Sequence, residues 1–199
     1  MEYGRGQLTL LSRSRLSSFL PEPAIRPYVF FLSAFFVVAF VAGMLAPPSI
    51  RGGLTDAFNL ATEPYLNQSG GSVFLFILLN NLIATLLTLL LGIAFGILPI
   101  IAVGFNGFLV GVLCREGARV VGYVKTALHV LPHGVFEIPA LLLAASYGLW
   151  IGMAALQRTR GRRNRDIRGQ MKHALRRYAA IIIPLLVIAA VIETALVVT

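Results

Sequence analysis

Three side chains able to bind a metal or carry a proton fall four residues apart. They are His129, His133 and Glu137, in the run His129-Val-Leu-Pro-His133-Gly-Val-Phe-Glu137. On a continuous helix that spacing stacks them on one face. Imidazole and carboxylate are the usual zinc ligands, so a divalent metal held by His129, His133 and Glu137 is one reading. A proton relay through His133 and Glu137 is a second. A third is structural: the pair hydrogen-bonds to hold a deformed helix against its neighbours. The structural reading weighs more than either chemistry, because Pro132 works against a helix continuous through His129. Glu193, in Val-Ile-Glu193-Thr-Ala, is the other carboxylate of an apolar run. It lies either at an outer interface or inward towards His133 or Asn81. Asn80, Asn81 and Asn106 are amides that can bridge helices. The expected site is a convergence of His133, Glu137, Asn81 and Asn106, with Glu193 joining from the last segment.

These groups matter because their surroundings are apolar. Hydrophobic residues make up 57% of the 199 residues, and only 13% are charged. Mean hydropathy is +0.82. A soluble domain carries about 25% charged residues. An ionisable group held at membrane depth needs a partner or water. The composition therefore predicts an all-α polytopic membrane bundle. The single cysteine, Cys114, excludes an internal disulfide.

Five apolar segments fit this class: 28–46, 73–98, 100–114, one within 126–156, and 179–198. Crossing the hydrocarbon takes about 20 residues. Pro99 predicts a tight turn over 97–100, and Asn106-Gly107 predicts an interrupted or re-entrant third segment near 97–107. Pro132, Gly134 and Pro139 predict a second irregularity near 129–139. Residues 1–27 read as a cytoplasmic N-terminal segment, and 28–199 as one transmembrane domain. No cleaved signal peptide is expected. Nine of the 17 Lys and Arg lie between Arg158 and Arg177. A basic connection over 157–178 belongs on the cytoplasmic side. Its Arg158, Arg160, Arg162, Arg163, Arg165 and Arg168 are expected to meet lipid headgroups, with no nucleic acid as partner. The stretch 47–72 reads as an external loop for partner proteins.

The order of Asn80-Asn81, a Gly-rich turn with Pro99, Asn106-Gly107 with Gly111, then Pro132-His133-Gly134-x-x-Glu137-x-Pro139-Ala140, then Ile192-Glu193 resembles the stage II sporulation protein M family. The resemblance covers about residues 28 to 199. It implies a multi-pass membrane protein. The named member serves engulfment in spore formers, within a membrane complex containing peptidoglycan-degrading proteins. Relatives also occur in organisms that neither sporulate nor build peptidoglycan.

No phosphate loop, dinucleotide fingerprint, Gly-x-Ser-x-Gly elbow or His-Glu-x-x-His occurs. No catalytic residue is assigned, and the expected class is a non-catalytic scaffold that recruits membrane or envelope proteins. A transporter or channel subunit is the alternative, and an intramembrane metal site built on His133 and Glu137 is another. Gly92-x-x-x-Gly96 and Gly107-x-x-x-Gly111 permit close helix packing. They raise the expectation of a homo-oligomer or a larger complex.

Overall fold

A computed structural model describes residues 22–66, 69–161 and 166–198, with backbone alone at 65–66, 129, 131–133 and 197–198. It is helical throughout, and no strand occurs among the described residues. The helices are α1 (Arg26–Leu45), α2 (Pro48–Leu66), α3 (Gly70–Leu90), α4 (Ile97–Val121), α5 (Tyr123–Pro132), α6 (Ile138–Thr159), α7 (Ile167–Arg177) and α8 (Ile183–Val198). Five helical stretches among the described residues are long and apolar enough to cross a membrane: Arg26–Leu45, Gly70–Ile93, Ile97–Val121, Gly134–Thr159 and Ile167–Leu196.

The fourth stretch is the axis of the bundle: 61% of it is buried, against 17–33% for the others. Its inner residues are small, with Ala140, Ala144 and Ala145 inaccessible. The peripheral helices turn large apolar side chains outward, such as Phe30 at 79% and Leu45 at 78% exposure. In a soluble protein such a surface would aggregate. In a membrane it is the lipid face.

Glycines set the closest approaches. A Cβ on Gly152 would stand 2.2 Å from the Gly96 nitrogen, and one on Gly92 would stand 2.3 Å from the Gly148 oxygen. The α3–α4 turn therefore lies directly on α6. Gly107 and Gly111 bring α4 against the α1 backbone at Phe36 and Phe40. Both glycine pairs pack within the subunit, so their spacing no longer argues for contact between copies.

Three expectations are corrected. The turn comes at 94–96, where Phe95 (φ 58°) and Gly96 (φ 75°) adopt left-handed backbone. Pro99 instead stands in the first turn of α4, where its missing amide has no carbonyl to serve. The third segment is not interrupted: α4 is one helix of 25 residues, long and apolar enough to cross a membrane. Gly107 serves the contact with α1, and Asn106 satisfies its amide within the helix by donating to the Ala102 carbonyl at 2.9 Å. Finally, most of 47–72 is helix, with Pro48 opening α2 and Gly52 and Gly53 tolerated inside it.

The irregularity near 129–139 takes a definite form. Residues His133–Glu137 make a π-helical turn that leads into α6, and Tyr178–Ile182 make a second that leads into α8. Each ends two residues before a proline, Pro139 and Pro184. A proline ring clashes with the carbonyl four residues back and offers it no hydrogen. A wide turn displaces that carbonyl without breaking the helix.

A carboxylate clamp on the second span

The two π turns meet the same turn of α3. From the first, Glu137 accepts a hydrogen bond from Asn81 Nδ2 at 2.5 Å. From the second, the Tyr178 hydroxyl donates to the Leu82 carbonyl at 2.8 Å and lies 3.0 Å from Thr85 Oγ1. Thr85 Oγ1 in turn lies 2.6 Å from the Asn81 carbonyl. Glu137 is 6% exposed and Tyr178 5%. An unsupported carboxylate at that depth costs several kcal/mol, which is why the polar groups of 81–85 face these turns.

A cavity of about 40 Å³ adjoins the clamp, lined by Asn81, Thr85, Asn106 and Glu137 with Phe36, Leu141 and Leu186 among its apolar walls. That volume admits about one or two waters. Asn81, Asn106 and Glu137 thus share one cavity. Asn80 is exposed on α3, and Glu193 is half-buried on α8, seven positions past Leu186. Glu193 is not among the described lining residues. The side chains of His129 and His133 lie outside the described residues. Among those described, no group of three or more His, Cys, Asp or Glu is placed to hold a metal.

Two further polar clusters sit at opposite ends of the bundle, and sequence reasoning missed both. At one end Arg51, 8% exposed, donates to Glu116 Oε1 at 2.6 Å and to the Ala46 carbonyl. Arg119 approaches the same carboxylate at 3.4 Å. At the other end Glu22 receives Arg177 through Nε at 2.5 Å and meets His173 Nε2 at 2.7 Å. The His173 ring stands 6.2 Å from Tyr147 and 6.4 Å from Trp150. Burial acts to raise the Glu22 carboxyl, but the hydrogen bonds and charges of Arg177 and His173 outweigh it and hold it below the usual carboxylate range. The available signal was His173 and Arg177 one turn apart on a basic amphipathic stretch. Of the expected headgroup residues, Arg158 and Arg160 are exposed at the end of α6, and Arg168 is exposed on α7. Arg162, Arg163 and Arg165 lie outside the described residues.

The comparisons agree with a membrane bundle of this kind. The sequence pattern described as Stage II sporulation protein M matches residues 28–197. An uncharacterized protein of Methanocaldococcus jannaschii is 46% identical over 77 residues, which are 38% of this chain and 43% of that protein. A second uncharacterized protein of the same organism is 36% identical over 89 residues, 44% of this chain and 37% of its own length. The matched stretch thus spans less than half of either relative. No solved structure matches. With the pattern matching 170 of its 199 residues (28–197), the chain belongs to the stage II sporulation protein M family.

Proposed function

We propose that the protein is a non-catalytic membrane scaffold that holds partner proteins at the bilayer. The observation that carries this reading is the clamp: Glu137 is engaged by Asn81 and Tyr178 by Leu82 and Thr85, beside a small cavity of about 40 Å³. Polar groups used this way fix helices against each other. A solute pathway would need a wider, hydrated route between helices. The partner-facing element in this reading is α2, which exposes Asp56, Asn59 and Glu63 outside the bundle.

A transporter or channel subunit is the second reading. It is favoured by one observation, a buried carboxylate beside a cavity lined by two amides. Reconstitution into vesicles loaded with a pH-sensitive dye separates the two. A scaffold gives the same proton leak for the wild type and Glu137→Gln, and photo-cross-linkers at Asn59 trap a discrete partner in native membranes. Proton flux that disappears with Glu137→Gln would overturn the scaffold reading.

A further inference from the structure

The last span is longer than a bilayer requires. Ile167–Leu196 is 30 residues, roughly 45 Å at about 1.5 Å per residue, against a hydrocarbon core of about 30 Å. Its Lys and Arg residues, Arg168, Lys172, Arg176 and Arg177, all fall in the first turns, which suits those turns to the headgroup layer. The core side of this helix is fixed by Ala174, Tyr178, Ile182 and Leu186, all buried.

On another face the exposed residues recur at every fourth position: Arg168, Lys172, Arg176, Ala180, Pro184 and Ile188. Such a row drifts about 40° round a regular α-helix at each step. The wide turn at Tyr178–Ile182 offsets part of that drift and keeps the row together. Its chemistry changes once, between Arg176 and Ala180. Above that point every member is a cation, and below it every member is apolar. Arg177 and His173, by contrast, are engaged with Glu22. The nearby Asp166 accepts from the Gly169 amide at 2.9 Å as a helix cap. None of Arg168, Lys172 and Arg176 forms an ion pair with another described residue.

We propose that this row is a binding site for one anionic phospholipid of the adjacent leaflet. The phosphate sits between Arg176 and Lys172, with Arg168 one turn further out. The acyl chain follows the shallow strip left by Ala180 and Pro184, down to Ile188. Charge complementarity commits the site to an anionic headgroup, and the apolar lower half commits it to a lipid in place of a free phosphate or a nucleic acid. The site stands apart from the scaffold reading, since it uses neither the clamp nor α2.

The test uses the full-length protein in bilayer discs of phosphatidylcholine containing a minority of phosphatidylglycerol. Native mass spectrometry after mild detergent release counts retained lipid. The wild type retains one phosphatidylglycerol in preference to phosphatidylcholine. The exposed pair substitution Lys172→Gln with Arg176→Gln lowers the apparent affinity on the order of thirtyfold, from about 1 kcal/mol per cation near an anionic surface. The control Arg119→Gln with Lys125→Gln, at the opposite end of the bundle, leaves retention unchanged. Equal retention of the two lipids, or retention insensitive to the Lys172 and Arg176 pair, would overturn the proposal. So would a short RNA that binds discs of pure phosphatidylcholine through those same two residues.

Discussion

Asn81 on the second span and Glu137 at the entrance to the fourth are joined by a hydrogen bond of 2.5 Å. Because Glu137 is almost wholly buried, the amide supplies what water would otherwise give. Asn81→Leu removes that donor and is expected to cost about 1–3 kcal/mol, the range for a buried acceptor that loses a hydrogen bond. Glu137→Gln keeps an acceptor oxygen and is expected to cost less, within about 1 kcal/mol. Reversible unfolding in mixed detergent micelles measures both. Equal losses would mean that the carboxyl group as a whole, and not one acceptor oxygen, holds the clamp.

The α6 contacts with the α3–α4 turn make a steric prediction. Gly152→Ala places a methyl 2.2 Å from the Gly96 backbone nitrogen, where no flexible side chain can give way. Overpacking of this kind costs about 1–3 kcal/mol. Gly53→Ala, inside α2 with nothing within 4 Å of its Cβ, is expected to stabilise by about 0.5–1 kcal/mol through helix propensity. Thermal unfolding of the two variants should therefore shift in opposite directions.

The sequence revealed the spans because a run of apolar residues long enough to cross a bilayer has few other stable solutions. Asn81, Asn106 and Glu137 stood out for the same reason: each is costly in such surroundings. Their shared cavity was expected from cost, but the partner atoms were not. Tyr178 and Thr85 read as ordinary helix residues, and only the two wide turns bring them to the same place. Gly107 carries two readings because glycine has two uses, breaking a helix and letting two helices touch, and only the second holds here. Glu22 escaped notice because its partners lie 151 and 155 residues away.

That long-range contact predicts a pH response. Glu22 has a depressed folded-state pKa from an ordinary value of 4.5, with burial opposed and outweighed by Arg177 and His173. A depressed carboxyl contributes stability that is present above its unfolded pKa and lost as pH falls through the folded one. The attachment of residues 22–25 to α7 is thus expected to hold above about pH 4.5 and to weaken below it. The chain has one tryptophan, Trp150, and it packs edge-on against His173. Its fluorescence should change as pH falls through that acid range in the wild type, and the acid transition should be absent in Glu22→Gln. An identical acid transition in the variant would assign the change to another group.

The two end clusters also predict the topology. Glu22 precedes the first span and meets Arg177, which follows the fourth, so both lie at one end of the bundle. Arg51 follows the first span and meets Glu116 near the end of the third, so these lie at the other end. Each pairing requires an even number of crossings between its partners: four spans separate Glu22 from Arg177, and two separate Arg51 from Glu116. The described basic residues Arg158, Arg160, Arg168, Lys172, Arg176 and Arg177 gather at the Glu22 end, and positively charged connections stay on the cytoplasmic side. Arg160 is therefore expected inside and Asn59 outside; both are exposed on the bundle. In a Cys114→Ala background, a membrane-impermeant maleimide added to intact cells should label Asn59→Cys at once. It should label Arg160→Cys only after permeabilisation. The reverse pattern would invert the orientation while keeping the fold. Labelling of both positions from one side would contradict the five-span arrangement itself, because α2 and the end of α6 would then share a face that the Arg51–Glu116 and Glu22–Arg177 pairs hold apart.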